Sequence, residues 1–368
     1  MIDDLQGLFL LQSIPGIGNQ RIRQLISHFG SVEKVISATR SSLMAVDGVD
    51  KKLADRILRE KEPEFAKRQL KMLEAYKASI LTFWDHAYPA GLKQIFDPPV
   101  ILFQKGRLMA EDAVSIAIVG TRHPSSYGVQ VTEKLTRELS NIGFTIISGL
   151  ARGIDTIAHR TALKADGRTV AVLGSGLDLI YPAENKRLVS EIEESGAILT
   201  EYPFGTKPDA SNFPKRNRII SGLTLGTLVV EAGSKSGALI TANFAAEQGR
   251  EVFAVPGAIT SGRSVGTNRL IKDGAKLVQG VDDILQELDV KLRSLRKMET
   301  TKTGARVPKN LSSEEQRVWE ILTDEPQHID LLSQKLGSSS SQVLSLLLTL
   351  ELKNVVKQLP GTYFVRQL

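Results

Sequence analysis

The sequence predicts an α/β protein: an extended Rossmann-like, doubly wound, mostly parallel sheet, flanked by an N-terminal helical domain and a C-terminal winged-helix domain. Three observations carry this. Between residues 114 and 257, short and continuously apolar stretches such as "SIAIV", "TVAVL" and "GTLVV" each run into a glycine-rich turn and then an amphipathic segment, the pattern of parallel strands covered on both faces. The first 63 residues carry apolar positions at helical spacing around the glycine turn "PGIG". The last stretch reads as three helices followed by a hairpin. The expected domains are therefore 1–63 (helical, helix-hairpin-helix or SAM-like), 64–288 (Rossmann-like), 289–310 (basic linker) and 311–368 (winged helix).

In "SIPGIGNQRIRQLISHFG" the Pro15-Gly16-Ile17-Gly18 turn precedes a helix with Ile22, Leu25 and Ile26 on one face. "AVDGVDKKLADRIL" is a weaker second copy, with Asp47 and Asp50 beside its lone Gly48. Glycines in such hairpins let backbone N–H groups approach a phosphate, but those carboxylates would repel one. DNA contact and a purely structural or protein-binding role both stand for this module. Residues 64–110 hold a charged helix and two extended segments, "ASILTFWD" and "DPPVILFQKG". The sheet strands follow in order: "SIAIVGTR", "FTIISGLARG", "TVAVLGSG", "GAILTEYPFG", "GTLVVEAGSKSG" and "EVFAVPG". Ligands of such sheets bind outside the carboxyl ends of the strands, where the glycine turns lie. "RSLRKMETTKTGARVPK" is polar, basic and aperiodic, and reads as a flexible linker with weak phosphate attraction. Helices are expected around Arg317–Leu322, Ile329–Leu336 and Gln342–Lys353, with the hairpin turning at Pro360-Gly361. A duplex reader carries cations on its recognition helix; here that helix is "SSSSQVLSLLLTLELK", so a protein partner is the expectation for this domain.

The net charge is +6, from 47 basic and 41 acidic side chains, yet residues 91–290 balance at 22 against 22. Residues 291–310, with seven basic and one acidic, supply the excess. Nucleic-acid binding must therefore rest on local clusters. The absence of cysteine rules out disulfides, thiolate catalysis and cysteine-ligated metals. No signal peptide and no membrane span is expected, and the expected location is cytoplasmic.

"IVGTRHPSSYG" is neither G-x-G-x-x-G nor a Walker A loop, so no dinucleotide or triphosphate cofactor is expected. Gly120 and the backbone around Thr121 suit an anion-binding nest, with Arg122 beside it for a phosphate. Asp155 and His159 stand at i, i+4 in "SGLARGIDTIAHRTAL" and read as a capping or internal hydrogen-bond pair, since no third metal ligand is evident. No metal site is expected. Glu231 ends a strand before "AGSKSG"; loop chemistry with Ser236 as helix cap is the bland reading, a nucleotide-handling carboxylate the sharp one, with no second carboxylate at catalytic spacing. In "SNFPKRNRIISG", Lys215, Arg216 and Arg218 crowd one helical turn behind Phe213 and Pro214. A solvated basic face is the default for such a cluster. The alternative is a single-strand site: Pro214 suits a helix start, cations pair with phosphates, and an aromatic stacks a base.

These motifs, with "VLGSGLDLIYPAENKRL" and "GTNRLIKDGA", occur in one order and together resemble the DNA-processing protein A (DprA/Smf) family over about residues 75–285. The resemblance implies a non-enzymatic protein without cofactor that binds single-stranded DNA and loads the recombinase RecA during natural transformation. It implies a homodimer through the Rossmann-like domain, with Leu270 and Ile271 near the interface. It maps the DNA-binding pocket to Gly120, Thr121, Arg122, Phe213, Arg216 and Asn217. Lys215 and Arg218 join on charge, and Lys207 and Lys186 as rim residues. The alternative is a nucleotide phosphoribohydrolase-like Rossmann enzyme. Gly226-Thr227 before Glu231 faintly matches that group's P-G-G-x-G-T-x-x-E motif, without the P-G-G and with the Glu one residue late.

Overall fold

The computed structural model describes residues 2–302, 311–322, 327–353, 355–359 and 362–366. Its compact units are residues 1–289 and 290–368.

The first unit opens with helices α1 (Ile2–Ser13), α2 (Asn19–Phe29), α3 (Val32–Ile36), α4 (Arg40–Met44), α5 (Lys51–Arg59) and α6 (Pro63–Ala75). Both expected glycine hairpins are present, one between α1 and α2, the other between α4 and α5. Strands β1 (Ser79–Thr82) and β2 (Ile101–Gly106) flank the short α7 (Ala90–Lys93). Then come β3 (Ser115–Val119), α8 (Ser126–Asn141), β4 (Thr145–Ser148), α9 (Ile154–Lys164), β5 (Thr169–Val172), α10 (Lys186–Ser195), β6 (Ala197–Thr200), α11 (Asn212–Leu223), β7 (Gly226–Val229), α12 (Gly237–Glu247), β8 (Glu251–Ala254), α13 (Val265–Lys272) and β9 (Lys276–Leu277). They build one nine-stranded sheet in the order β1-β2-β6-β5-β4-β3-β7-β8-β9. β3 to β9 are parallel; β2 runs antiparallel to both its neighbours. The chain steps outward from β3 through β4 and β5 to β6, then returns to place β7 on the other side of β3. That reversal opens the crevice in which doubly wound sheets hold ligands.

Alternating side chains feed two cores. Ala171 and Ile198 belong to the layer shared with the N-terminal helices, while Val170, Val172, Ala197 and Leu199 pack under α11 and α12. The N-terminal helices share their core with the sheet: Phe9 stacks on Phe103 with centroids 5.9 Å apart, and Phe103 meets Phe204 edge-on at 5.6 Å. Asn19 completes the docking. Its Oδ1 accepts from the Val100 N–H at 3.1 Å, and its Nδ2 donates to Glu201 at 3.3 Å.

The linker reading needs correction. α14 runs from Val281 to Lys302 as a helix, so most of the stretch read as aperiodic is helical. Leu, Lys, Arg, Glu and Met, all good helix formers, dominate its first part, which outweighs its polarity; residues 303–310 lie outside the described residues. The second unit contains α15 (Ser313–Ile321), α16 (Ile329–Leu336) and α17 (Ser340–Leu352) with the sheet β10 (Gln327–His328), β12 (Tyr363–Arg366), β11 (Val356–Leu359), the winged-helix pattern. The expected turn at Pro360-Gly361 lies outside the described residues. Trp319, Leu347 and Phe364 centre its core, and Lys353 pairs with Glu315 at 2.7 Å. Among the described residues no helix is long and apolar enough to cross a membrane.

The shared core sets a test. Phe9→Ala should cost roughly 3–5 kcal/mol. Hydrogen exchange should show β2 and β6 losing protection together with α1. Loosening of α1 alone would make the helices an independent unit.

Candidate nucleic-acid interface

A cavity of about 890 Å³ opens at the carboxyl ends of β3, β4 and β7. Its walls are the turns after those strands and the first turns of α11 and α12. Gly120, Thr121, Arg122, Phe213, Arg216 and Asn217 all line it; Lys215, Arg218, Lys207 and Lys186 do not.

At the expected anion nest, one backbone donor is already engaged. The Thr121 N–H donates to the Glu231 carbonyl at 2.7 Å, and the Thr121 carbonyl accepts from Ile154 at 3.2 Å. Gly120 is required by crowding, because a Cβ there would sit 2.6 Å from Ile154 Cγ1. The turn thus ties the β3 end to β7 and α9 and aims the next residue outward. Arg122 is exposed and makes no ion pair among the described residues; its guanidinium carbon lies 6.0 Å from the Phe213 ring centre.

The three clustered cations have three different fates. Arg216 is 4% exposed. Its Nη1 donates to the Gly149 carbonyl at 2.8 Å and to the Val172 carbonyl, and its Nε donates to Asn217 Oδ1 at 3.1 Å. It caps the ends of β4 and β5 from beneath the cavity, so the solvated-face reading fails for it. Burial lowers it to about 10, with Asp155 and Tyr202 opposing and Arg122 adding to the effect, so it stays charged at neutral pH. Arg218 points to the other side of α11 and is held by Glu201 (2.7 Å) and Asp97 (3.3 Å); it belongs to the docking surface of the N-terminal helices. Lys215 alone is the exposed cation of the trio. Asn217 is buried, and its Nδ2 donates to the Gly237 carbonyl at 3.4 Å, tying α11 to α12.

Phe213 is half-buried. Its ring packs over Gly174, where a Cβ would meet it at 2.8 Å, and beside Tyr181, with centroids 5.7 Å apart. The Arg216 guanidinium lies 5.9 Å from its centre.

Asp155 and His159 do not bond each other. The Asp155 carboxylate accepts from the Gly149 and Ala151 N–H groups at 3.1 and 3.3 Å, a capping role for the turn into α9. His159 Nδ1 lies 2.7 Å from the Thr169 hydroxyl, which itself donates to the Ile146 carbonyl; Nδ1 therefore carries the proton. Burial raises Asp155 to about 6, against the pull of Arg216, and lowers His159 to about 3, with Arg216 adding to it. Glu231 is equally committed. Its carboxylate accepts from the Ser125 N–H (2.9 Å) and hydroxyl (2.5 Å), and Ser125 caps α8 through the Gly128 N–H. The sharp reading of Glu231 finds no free carboxylate at the cavity. Ser236 caps α12 as expected, accepting from Ala238.

Sequence reasoning missed Lys235 and Tyr181 on the cavity wall. Lys235 was visible as the one cation in the "GSKSG" turn; Tyr181, far along the β5–α10 loop, had no local signal. Among the described residues no cluster of His, Asp or Glu suits a metal ion.

Comparison with known proteins agrees with this architecture. Residues 79–289 match the model of DNA recombination-mediator protein A. The chain belongs to that family, DprA/Smf. The flanks match the DprA winged helix domain (302–362) and the SAM-like helix-hairpin-helix tandem (9–60). Protein Smf of Synechocystis is 34% identical over 96% of this chain and 96% of its own length. DNA processing protein DprA of Bacillus subtilis is 41% identical over 73% of this chain and 93% of its own. The X-ray structure of DprA from Streptococcus pneumoniae superposes with a TM-score of 0.69 at 37% identity, covering 77% of this chain and 97% of that one. DNA processing protein A from Helicobacter pylori, described for its single-stranded DNA binding mode, has a TM-score of 0.53 at 32% identity, covering 58% and 97%.

The buried groups predict a pH signature. Asp155 is raised from 3.8 to about 6, so the stability that it contributes is complete below about pH 4 and lost as pH rises through about 6. His159, lowered from 6.5 to about 3, contributes stability that is present above about 6.5 and lost as pH falls through about 3. The two oppose each other in the shared window. Against Asp155→Asn, the wild type should lose stability by up to ~1.4 kcal/mol per pH unit between about pH 4 and 6 and run parallel above. Urea melts across that range check this; parallel curves throughout would contradict it.

Proposed function

We propose that this chain is a non-enzymatic single-stranded DNA-binding protein, with the cavity at the strand ends as its binding site. One observation carries the reading. The cavity presents Arg122 and Lys235 beside an aromatic pair over a buried guanidinium, while Glu231 and Asp155 are held in hydrogen bonds. Cations for phosphates plus aromatics for bases is the chemistry of single-strand binding; the carboxylate that the phosphoribohydrolase-like alternative would use, Glu231, is engaged by Ser125. The Helicobacter relative's binding mode supports the same reading. Duplex is disfavoured, because the faces of its bases are already covered by stacked neighbours and cannot reach Phe213.

The finer role follows the family: delivery of the bound strand to the recombinase RecA during natural transformation, in the cytoplasm. We assign the proposed homodimer to the α13–β9 edge. There Leu270 packs against the inner core while Val265 and Leu277 are exposed and Ile271 is half-buried. A monomeric mass by light scattering at micromolar concentration would remove the dimer. The winged helix takes a protein partner rather than duplex: Ser341, Gln342, Ser345, Leu348 and Thr349 form the exposed face of α17, without a cation.

Titration of the full chain with labelled oligo-dT and with duplex over a salt series tests the main proposal. Single strand should bind more tightly. Arg122→Ala should lose about 1–3 kcal/mol of affinity and lower the salt slope by about one counterion, with an unchanged melting temperature. Arg216→Ala should instead cost about 3–5 kcal/mol of stability, since it leaves Asp155 buried without its countercharge. Equal affinity for duplex, or release of adenine from AMP, would point to the phosphoribohydrolase-like alternative or another ligand.

A further inference from the structure

We propose that Tyr181 is a second base-stacking residue, taking the nucleotide next to the one at Phe213, so that the strand leaves the cavity over the start of α10. This rests on the single-strand reading above.

Both rings line the cavity, but Tyr181 offers more surface to solvent than the half-buried Phe213. Phe213 has Gly174 against its edge and two guanidinium groups within about 6 Å of its centre. Tyr181 is 40% exposed and lines the cavity rim, and no hydrogen bond ties its hydroxyl to the described residues. The two rings meet at 5.7 Å and 44°, a tilted pair, so bases stacked on the two rings would lie in different planes. Behind them lies a cleft of only about 20 Å³ between Tyr181, Arg122 and Arg152. A base cannot enter it, which leaves the outer face of Tyr181 as the surface for the proposed stacking. Basic residues stand close to Tyr181: Arg152 lines the same small cleft, and Lys186 and Arg187 follow in the chain, Arg187 bonded to Glu191 at 3.1 Å. Arg152 is fixed at the surface by two bonds to Glu184 (2.8 and 2.9 Å), and α10 opens with the exposed Lys186 and Arg187. Lys186 has no ion pair among the described residues and stands on the first turn of the helix that follows Tyr181. Its place off the cavity wall is then explained: it meets a phosphate of the strand already outside.

The test is fluorescence anisotropy of the full chain with oligo-dT for the wild type, Tyr181→Leu and Tyr181→Phe. Tyr181→Leu should weaken binding about 5- to 100-fold with an unchanged salt slope, because stacking releases no counterions. Tyr181→Phe should stay within about twofold of the wild type. In oligonucleotides with one abasic site moved along the strand, the wild type should show a penalty at two adjacent positions; Tyr181→Leu should lose one of them. A purely structural tyrosine would lower the melting temperature and leave the abasic profile unchanged, which overturns the proposal. Unaltered affinity of Tyr181→Leu overturns it as well, while leaving single-strand binding intact. A wild type that fails to bind oligo-dT removes the underlying reading itself.

Discussion

A guanidinium shut beneath the carboxyl ends of β4 and β5 sets the geometry of the site. Backbone carbonyls at strand ends need donors, and Arg216 supplies them to Gly149 and Val172 at once. Its position on α11 then fixes where that helix begins, and with it the depth at which Phe213 lies. Gly149 must lack a side chain, since a Cβ would stand 2.5 Å from the same guanidinium. The charge is tolerable because Asp155 lies close and Asn217 orients the Nε. Removing the cation would cost the sheet its end cap, the helix its anchor and Asp155 its countercharge together.

α11 also explains how much of the site could be read in advance. Lys215, Arg216 and Arg218 are neighbours in sequence, but at 3.6 residues per turn they leave the helix in different directions. One faces solvent, one the sheet ends and one the acidic pair Glu201 and Asp97. Composition sees only three like charges, and a buried arginine is rare enough that sequence reasoning assigns all three to the surface. The strands were legible because continuous apolar runs leave no other place for them. β9 was not, because two residues carry no period. The helical part of 289–302 was hidden behind its charge. Tyr181 reaches the cavity through a long loop whose path only tertiary contacts determine.

The glycine hairpins show the opposite case, in which a visible motif is turned inward. Arg21, on the helix after the first hairpin, donates to the Asp47 carbonyl of the second at 2.7 Å, and Arg56, after the second, reaches back to the Pro15 carbonyl of the first at 3.2 Å. Each turn is covered by the other's arginine. The start of α2, where the helix dipole favours an anion, faces Glu201 and Asp97 through Asn19. The module's core is continuous with the sheet through the Phe9–Phe103 contact.

The shortness of β9 has a consequence for how this sheet can meet another molecule. A long open edge invites a neighbouring strand to continue the ladder, which is how sheets fuse and aggregate. Two residues, Lys276 and Leu277, offer barely one rung, and one of them is a lysine. Whatever docks along that edge has to be gripped by side chains. Strand-to-strand extension of the nine-stranded sheet from that side is therefore disfavoured.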